Sequence, residues 1–405
     1  MNAGTFRFSG AAFLALAMAL AASPVCAQKK YDPGATDTEI KIGNLMAYTG
    51  PFAEYGATGR AEAAYFQMIN DRGGVNGRKI NFVSVDNGTN FRGSLDLARK
   101  LVEEDKVLLL FGNFGYATNL AIRGYLNENK IPQLFLATND STFDDPAHFP
   151  WTMGFGASKR IEGIVYAKYI LQNKPEAKIA VLYPSDESGQ DWLEGIHEGL
   201  GEKSSKLIVK EVSFSYIDPA GLDSRIAELK DSGADVFLNM SVGKYATLAI
   251  RKAYDMGWRP LEFLPNASLS IAAFLEPAGL EKAVGIMTNA RSKGWASPES
   301  QSDPAVREYV DWMKKYNRSG NLRDANNLFG YEVSETLVEV LKKCGDNLTR
   351  QNVMDQAASL NLELGMLLPG IRVTTSKTDY QPIKQLYLIR FNGKSWDPIG
   401  GVIGE

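Results

Sequence analysis

The chain has 405 residues, 44% of them hydrophobic and 22% charged, with a formal net charge of −3 at pH 7. That is globular composition with enough apolar material for two domains. The near-neutral balance gives no reason to expect nucleic acid or an anionic membrane surface as a partner.

At the amino terminus, Arg7 precedes an apolar run from Ala11 to Ala22, and Val25-Cys26-Ala27 places small residues before Gln28. Residues 1–27 therefore read as a secretory signal cut after Ala27. The run is too short to span a bilayer, and no later stretch qualifies. A lipid anchor on Cys26 is the alternative, against which stands Val25 immediately before it. After cleavage only Cys344 remains, so no internal disulfide is expected and stability rests on the size of the core.

The stretch from Ile40 to Val85 organises the rest of the chain. Ile40 to Met46 alternates and then turns apolar, as a strand entering a buried sheet does. The loop from Ala47 to Gly56 carries two glycines, a proline and the aromatics Tyr48, Phe52 and Tyr55. Ala57, Ala61, Ala64, Tyr65 and Met68 share one helical face, which predicts a helix over 58–71 that stops at Gly73-Gly74. Lys79 to Val85 is the next strand, completing a β-α-β unit with aromatics at its carboxyl edge, where open α/β sheets bind ligands. Three segments of this passage, Ile40-Lys41-Ile42-Gly43, Thr49 to Gly56, and Ile69-Asn70-Asp71-Arg72-Gly73-Gly74-Val75-Asn76-Gly77-Arg78-Lys79-Ile80, closely resemble the opening of the branched-chain amino acid binding protein family. Those are periplasmic solute-binding components of ABC transporters. The resemblance continues more weakly to the end of the chain.

Helices are predicted over 93–104 and 118–129, with strands over 107–111 and 132–137, so strands alternate with helices and a parallel sheet covered on both faces is expected. Phe149 to Gly156 breaks the rhythm and reads as a first crossing between lobes. The alternation then restarts, with helices over 159–172, 191–200, 222–232 and 244–256 and strands over 178–183, 207–212, 235–240 and 261–264. A second crossing is expected near 284–290, then helices over 303–316 and 326–343 and a last strand over 384–391. The resemblance implies an α/β type I periplasmic binding protein: two Rossmann-like lobes of parallel sheet flanked by helices, joined by a three-strand hinge. It places residues 38–153 and 288–383 in the first lobe and 154–287 and 384–405 in the second.

Catalytic signals are missing from the sequence. His148 and His197 are its two histidines, and both read as surface residues. There is no His-Glu-x-x-His, no Gly-x-Ser-x-Gly and no Gly-x-x-x-x-Gly-Lys, and Gly154-Phe155-Gly156 lacks the third glycine of a dinucleotide fingerprint. No enzyme activity, metal or cofactor is expected. Binding chemistry sits in the strand-to-helix loops instead. Gly112 to Thr118 follows a strand and opens a helix, so its backbone N–H groups can point at an anion. By resemblance, Gly115 and Tyr116 here, together with Ala137, Thr138 and Asn139, hold the ligand carboxylate, while Tyr55 and Trp295 supply aromatic surface. Ser188 stands where the family often carries a tyrosine, and Ser241 and Val242 are expected at the cleft. Family members that bind amino acids commonly carry a glutamate for the ligand ammonium where this chain has Asn266, with Asp186 or Glu187 as the nearest substitutes. A buried ammonium needs such an acceptor. The expected ligand is therefore a small organic carboxylate with an aromatic or branched aliphatic body, delivered by a monomer to permease subunits in the inner membrane. The alternatives are a binder of branched-chain amino acids or amides and a sensing domain that serves a membrane receptor.

Overall fold

The computed structural model describes residues 1–5, 29–88, 90–216, 221–294 and 300–404. Most of the stretch read as a signal, and Trp295, lie outside these residues.

One sheet contains β1 (Glu39–Met46), β2 (Lys79–Asp86), β3 (Leu109–Phe111), β4 (Gln133–Leu134) and β5 (Thr152–Met153), all parallel, in the order β2-β1-β3-β4-β5. A second contains β6 (Ile179–Pro184), β7 (Ile208–Phe214), β8 (Val236–Asn239), β9 (Leu261–Phe263) and β10 (Met287–Ala290), parallel in the order β7-β6-β8-β9-β10. Two antiparallel strands, β11 (Gln385–Phe391) and β12 (Trp396–Gly404), extend it beyond β10. The principal helices are α1 (Gly56–Asp71), α2 (Phe91–Arg99), α3 (Tyr116–Glu128), α4 (Lys159–Asn173), α5 (Glu187–Leu200), α6 (Leu222–Asp231), α7 (Lys244–Asp255), α8 (Pro304–Tyr316) and α9 (Ala325–Cys344).

Both sheets are buried on both faces, which is why their strands read as apolar runs. In β3, Leu109 and Phe111 join a core with Ala61, Phe66 and Val333, whereas Leu110 packs with Leu101 and Ile122 on the opposite face. In β6 the same alternation divides Ile179 and Val181 from Ala180 and Leu182. β4 ends earlier than the sequence predicts because Phe135, with φ of 55°, interrupts it. β12 is a strand that the sequence does not announce. Pro398 and three glycines hide it, and they are tolerated because it is an edge strand.

The chain passes from the first sheet to the second after Met153 and returns after Ala290. The return segment is clamped: Arg291 O accepts from Leu368 N at 2.8 Å and Lys293 N donates to Met366 O at 2.7 Å. A third passage joins Thr374 to Gln385. His148 is exposed beside Asp145 at 2.9 Å, and His197 contacts Glu211 at 2.8 Å on the surface.

Glu262 on β9 is buried, and Asn239 Nδ2 donates to its carboxylate at 2.8 Å. Burial outweighs that bond and pushes the carboxyl up to about 7. The folded protein thus keeps a proton that the unfolded chain loses in the ordinary carboxylate range. Stability from this site is lost as pH rises from that range to about 7 and is constant above it. Glu262→Gln, which still accepts from Asn239, is expected to raise the melting temperature by several degrees at pH 8 and by almost nothing at pH 4. Thermal unfolding at the two pH values checks this, and an equal change at both contradicts it.

Candidate functional site

In each sheet the strand order reverses once, between β1 and β3 and between β6 and β8. Loops leaving such neighbours diverge and open a crevice at their carboxyl ends. The loops after these four strands face one another across a cleft of about 880 Å³ and contribute Phe52, Tyr55, Phe114, Asp186, Ser188 and Val242 to its walls.

Several helices start at the cleft, and their N-termini differ in one respect. Ser158 accepts from Ile161 N at the start of α4, Asp186 from Gly189 N at α5, and Asp324 from Asn326 N at α9. α7 has no side-chain cap of its own, but two residues of the β1 loop supply one: Glu54 Oε1 accepts from Lys244 N at 3.1 Å and the Tyr55 hydroxyl accepts from Gly243 N at 3.0 Å. Gly243 has φ of 61°, and a Cβ there would come within 2.6 Å of Glu54 Oε1. α3 alone among these five has no side-chain cap. Gly115, at φ 89°, makes the turn into it, and the amides of Tyr116, Ala117 and Thr118, in the first turn, have no acceptor within the helix. All three residues line the cleft, with the positive end of the helix dipole behind them.

Gly115 and Ala137 also line the cleft, but their amides are already used. Gly115 N donates to Ala137 O at 3.3 Å and Ala137 N to Asn113 O at 3.0 Å. They hold the loop in shape, and the free donors lie one turn further on. Thr138 and Asn139 line the cleft too. The Thr138 hydroxyl gives its proton to Asp140, and Asn139 O accepts from Lys159 N at 2.8 Å. Ser188 accepts from Lys159 Nζ, which also donates to Asp140 at 2.6 Å and lies 4.6 Å from the centre of the Trp192 ring. Lys159 is thus a buried cation on the cleft wall. Nothing local in the sequence distinguishes it from the exposed charges of an amphipathic helix.

Tyr55 stacks on Phe114 with ring centres 4.8 Å apart, and Phe52 meets the edge of Tyr216 at 5.3 Å. The Tyr55 hydroxyl, besides accepting from Gly243, donates to Ala267 O at 3.1 Å. Tyr116 donates to Glu187 at 2.6 Å, and Asp191 accepts from Ser141 N and Oγ at 2.9 and 2.5 Å. These bonds all run across the cleft, between elements of the two sheets.

Asn266 lines the cleft with its polar atoms engaged. Its N–H donates to Glu162 Oε1 at 2.5 Å and its Nδ2 to Asn289 O at 2.8 Å. Glu162, which sequence reasoning missed, also accepts from Trp192 Nε1 at 2.5 Å, from the Tyr166 hydroxyl at 3.1 Å and from Asn289 Nδ2. Burial pushes its carboxyl up, and these donors oppose the shift. Ser241 is not brought to the cleft. It is fully buried, bonded through Oγ to Asn239 at 2.5 Å, because the turn after β8 points Val242 outward and Ser241 inward.

A family model for periplasmic binding proteins matches residues 39–395. A Leu/Ile/Val-binding protein homolog from Brucella abortus is 25% identical over 318 residues, covering 78% of this chain and 81% of its own length. A branched-chain amino acid ABC transporter protein from Thermus thermophilus, solved with bound valine, superposes with a TM-score of 0.79 at 17% identity, covering 91% of this chain and 97% of that one. A solute-binding protein of an ABC transporter from R. palustris, solved with 4-hydroxybenzoate, gives 0.76 at 17% identity over 91% of this chain and 98% of that one. At such identity the two structures speak to the fold alone. With the family match running from β1 through β11, the chain belongs to the periplasmic binding protein family.

Proposed function

We propose that the protein is the exported solute-binding component of an ABC importer, which closes on a small organic carboxylate with an aromatic or branched aliphatic body and presents it to permease subunits in the inner membrane. The leader at residues 1–27 carries it to the periplasm, and nothing is turned over. The observation that carries this reading is the uncapped start of α3, opening with Lys159 onto a cleft walled by Phe52, Tyr55, Phe114, Trp192 and Tyr216. An acid group seated on those amides takes about two or three charge-assisted hydrogen bonds, worth roughly 1.5–3 kcal/mol each. An apolar body adds about 2–3 kcal/mol. After the cost of association, micromolar binding, about −8 kcal/mol, is within reach.

The case against an α-amino acid rests on acceptors. Glu162 already accepts from Asn266 N, the Tyr166 hydroxyl, Asn289 Nδ2 and Trp192 Nε1, and Glu187 is engaged by Tyr116. Asp186 is the exception and supports a second reading: it lines the cleft and spends one oxygen on capping α5, which leaves the other for an ammonium. Asp186→Asn separates the two. For an organic acid the affinity is expected to stay within about threefold or to improve, since a negative charge leaves the site; for leucine or valine it is expected to fall by tenfold or more, as an ammonium loses its ionic partner. A thermal-shift panel of aromatic acids, branched aliphatic acids and amino acids on the unmodified protein comes first. Stabilisation by leucine or valine and by none of the plain acids would refute the organic-acid preference.

Closure is a population shift driven by contacts that exist in the closed form only. The Tyr55 hydroxyl makes two of these, to Gly243 and Ala267. Tyr55→Phe keeps the stack on Phe114 and loses both, so affinity is expected to drop about five- to fiftyfold through faster release, the stacking being unchanged. Stopped-flow dissociation measures this, and an unaltered off-rate rules the latch out.

A further inference from the structure

On the hinge side of the same cleft lies a cation that the acid anchor leaves unused. Arg291 follows β10 on the return passage, where its carbonyl is fixed by Leu368 N. Its side chain is 7% exposed, lies beside the edge-to-face pair of Phe155 and Phe329 at 5.6 and 5.2 Å from their ring centres, and lines the cleft. A guanidinium carries five N–H donors in a rigid plane. Among the described residues Arg291 makes two hydrogen bonds, from Nε to Glu332 Oε2 at 3.2 Å and from Nη1 to Asn266 Oδ1 at 3.5 Å, with Nη2 also 3.2 Å from that same Glu332 oxygen. These are long contacts for charged groups. Buried donors left without acceptors are costly and uncommon. Two hydrogen bonds and one ion-pair contact do not use all five donors of the fork, and Arg291 lines the cleft.

The cleft is also larger than a short acid needs. At about 880 Å³ it sits toward the upper end of pockets that enclose drug-sized ligands, and its walls run from Tyr116 and Ser188 to Leu368, Ile389 and Trp396. We propose that Arg291 is a second anchor, a specificity-determining residue that takes an oxygen acceptor on the part of the ligand remote from its acid group: a hydroxyl, keto or second carboxylate oxygen. This rests on the proposed function, in which the acid group sits at the start of α3. The ligand class is then an acid oxygenated at both ends of an apolar body. Because Arg291 is held by its carbonyl on the return passage and packed beside Phe155 and Phe329, the distal oxygen would be gripped where the lobes pivot.

The test compares paired ligands by calorimetry on the full-length mature protein: benzoate against 4-hydroxybenzoate, and octanoate against suberate, so that a neutral and an anionic distal oxygen are told apart. At least one oxygenated member is expected to bind roughly ten- to hundredfold tighter than its plain partner, the worth of a charge-assisted hydrogen bond. In Arg291→Met combined with Glu332→Gln, which avoids stranding a buried carboxylate, that ratio should fall to about one while the plain acid keeps its affinity within about threefold. The comparison on the unmodified protein stands whether or not this variant folds. Plain and oxygenated acids bound equally well in both pairs would overturn the proposal and leave the organic-acid reading intact, as would a variant that loses both members of a pair in proportion. Failure of all four acids to bind, with leucine or valine bound, would overturn both.

Discussion

The constraint on which this site depends is that a helix start facing a closed cleft must find something for its first amides. Around this cleft the chain meets the demand locally at α4, α5 and α9, with Ser158, Asp186 and Asp324. At α7 it meets the demand from the other lobe, with Glu54 and Tyr55. At α3 it does not meet it with any side chain. The two exceptions are what the proposed function builds on: one helix start is capped from across the cleft, and the other has no side-chain cap. If that proposal holds, a single rule of backbone chemistry would give both the seat of the guest and part of the reason the lobes stay shut over it.

Electrostatics alone would point less clearly. Lys159 faces the cleft as a cation, yet Asp140 pairs with it and Asp186 lies close by. Burial raises Asp186, which makes it a costly place to keep a charge unless a cation arrives. Opposite charges stand side by side at this end, so the direction of each donor matters more than the count of charges. The α3 amides, the Lys159 ammonium and the Ser188 hydroxyl are donors, whereas the Thr138 hydroxyl has given its proton to Asp140 and is left an acceptor. A carboxylate placed here would meet donors, and an ammonium would meet Asp186, which is why that residue is the one to separate the two ligand classes.

Much of the fold was legible because strands buried on two faces are hard to mistake: β3, β6 and β8 are almost unbroken apolar runs, and β1 turns apolar after an alternating start. β12 escaped because Pro398, Gly400 and Gly401 look like a tail until β11 is seen to pair with it. The lining of the candidate cleft was legible where it lies in loops that follow strands, as with Tyr55, Tyr116, Ala137 and Val242. It was illegible where residues act through partners far along the chain or on the other lobe. Arg291 meets Glu332, Glu162 meets Asn289, and Lys159 meets Asp140 across the closure. None of these pairings leaves a spacing that a reader of the chain could detect, since each is made by tertiary approach of segments with their own local reasons to be polar.

Asn266 shows how far a substitution argument carries and where it stops. On sequence grounds, the lack of a glutamate at that position weakens ammonium binding by leaving an amide in the ligand's place. In the structure the amide turns to the hinge instead, with its Nδ2 on Asn289 O and its Oδ1 toward Arg291, while the main-chain N–H above it binds Glu162. A buried acid is therefore present next to Asn266, but it is consumed by the second lobe's own donors and faces Trp192, Tyr166 and Asn289. Within the proposed function, the case against an ammonium rests on a different reason than the one that suggested it. What decides is the number of donors already spent on each carboxylate, a property of packing that residue identity at one position does not fix.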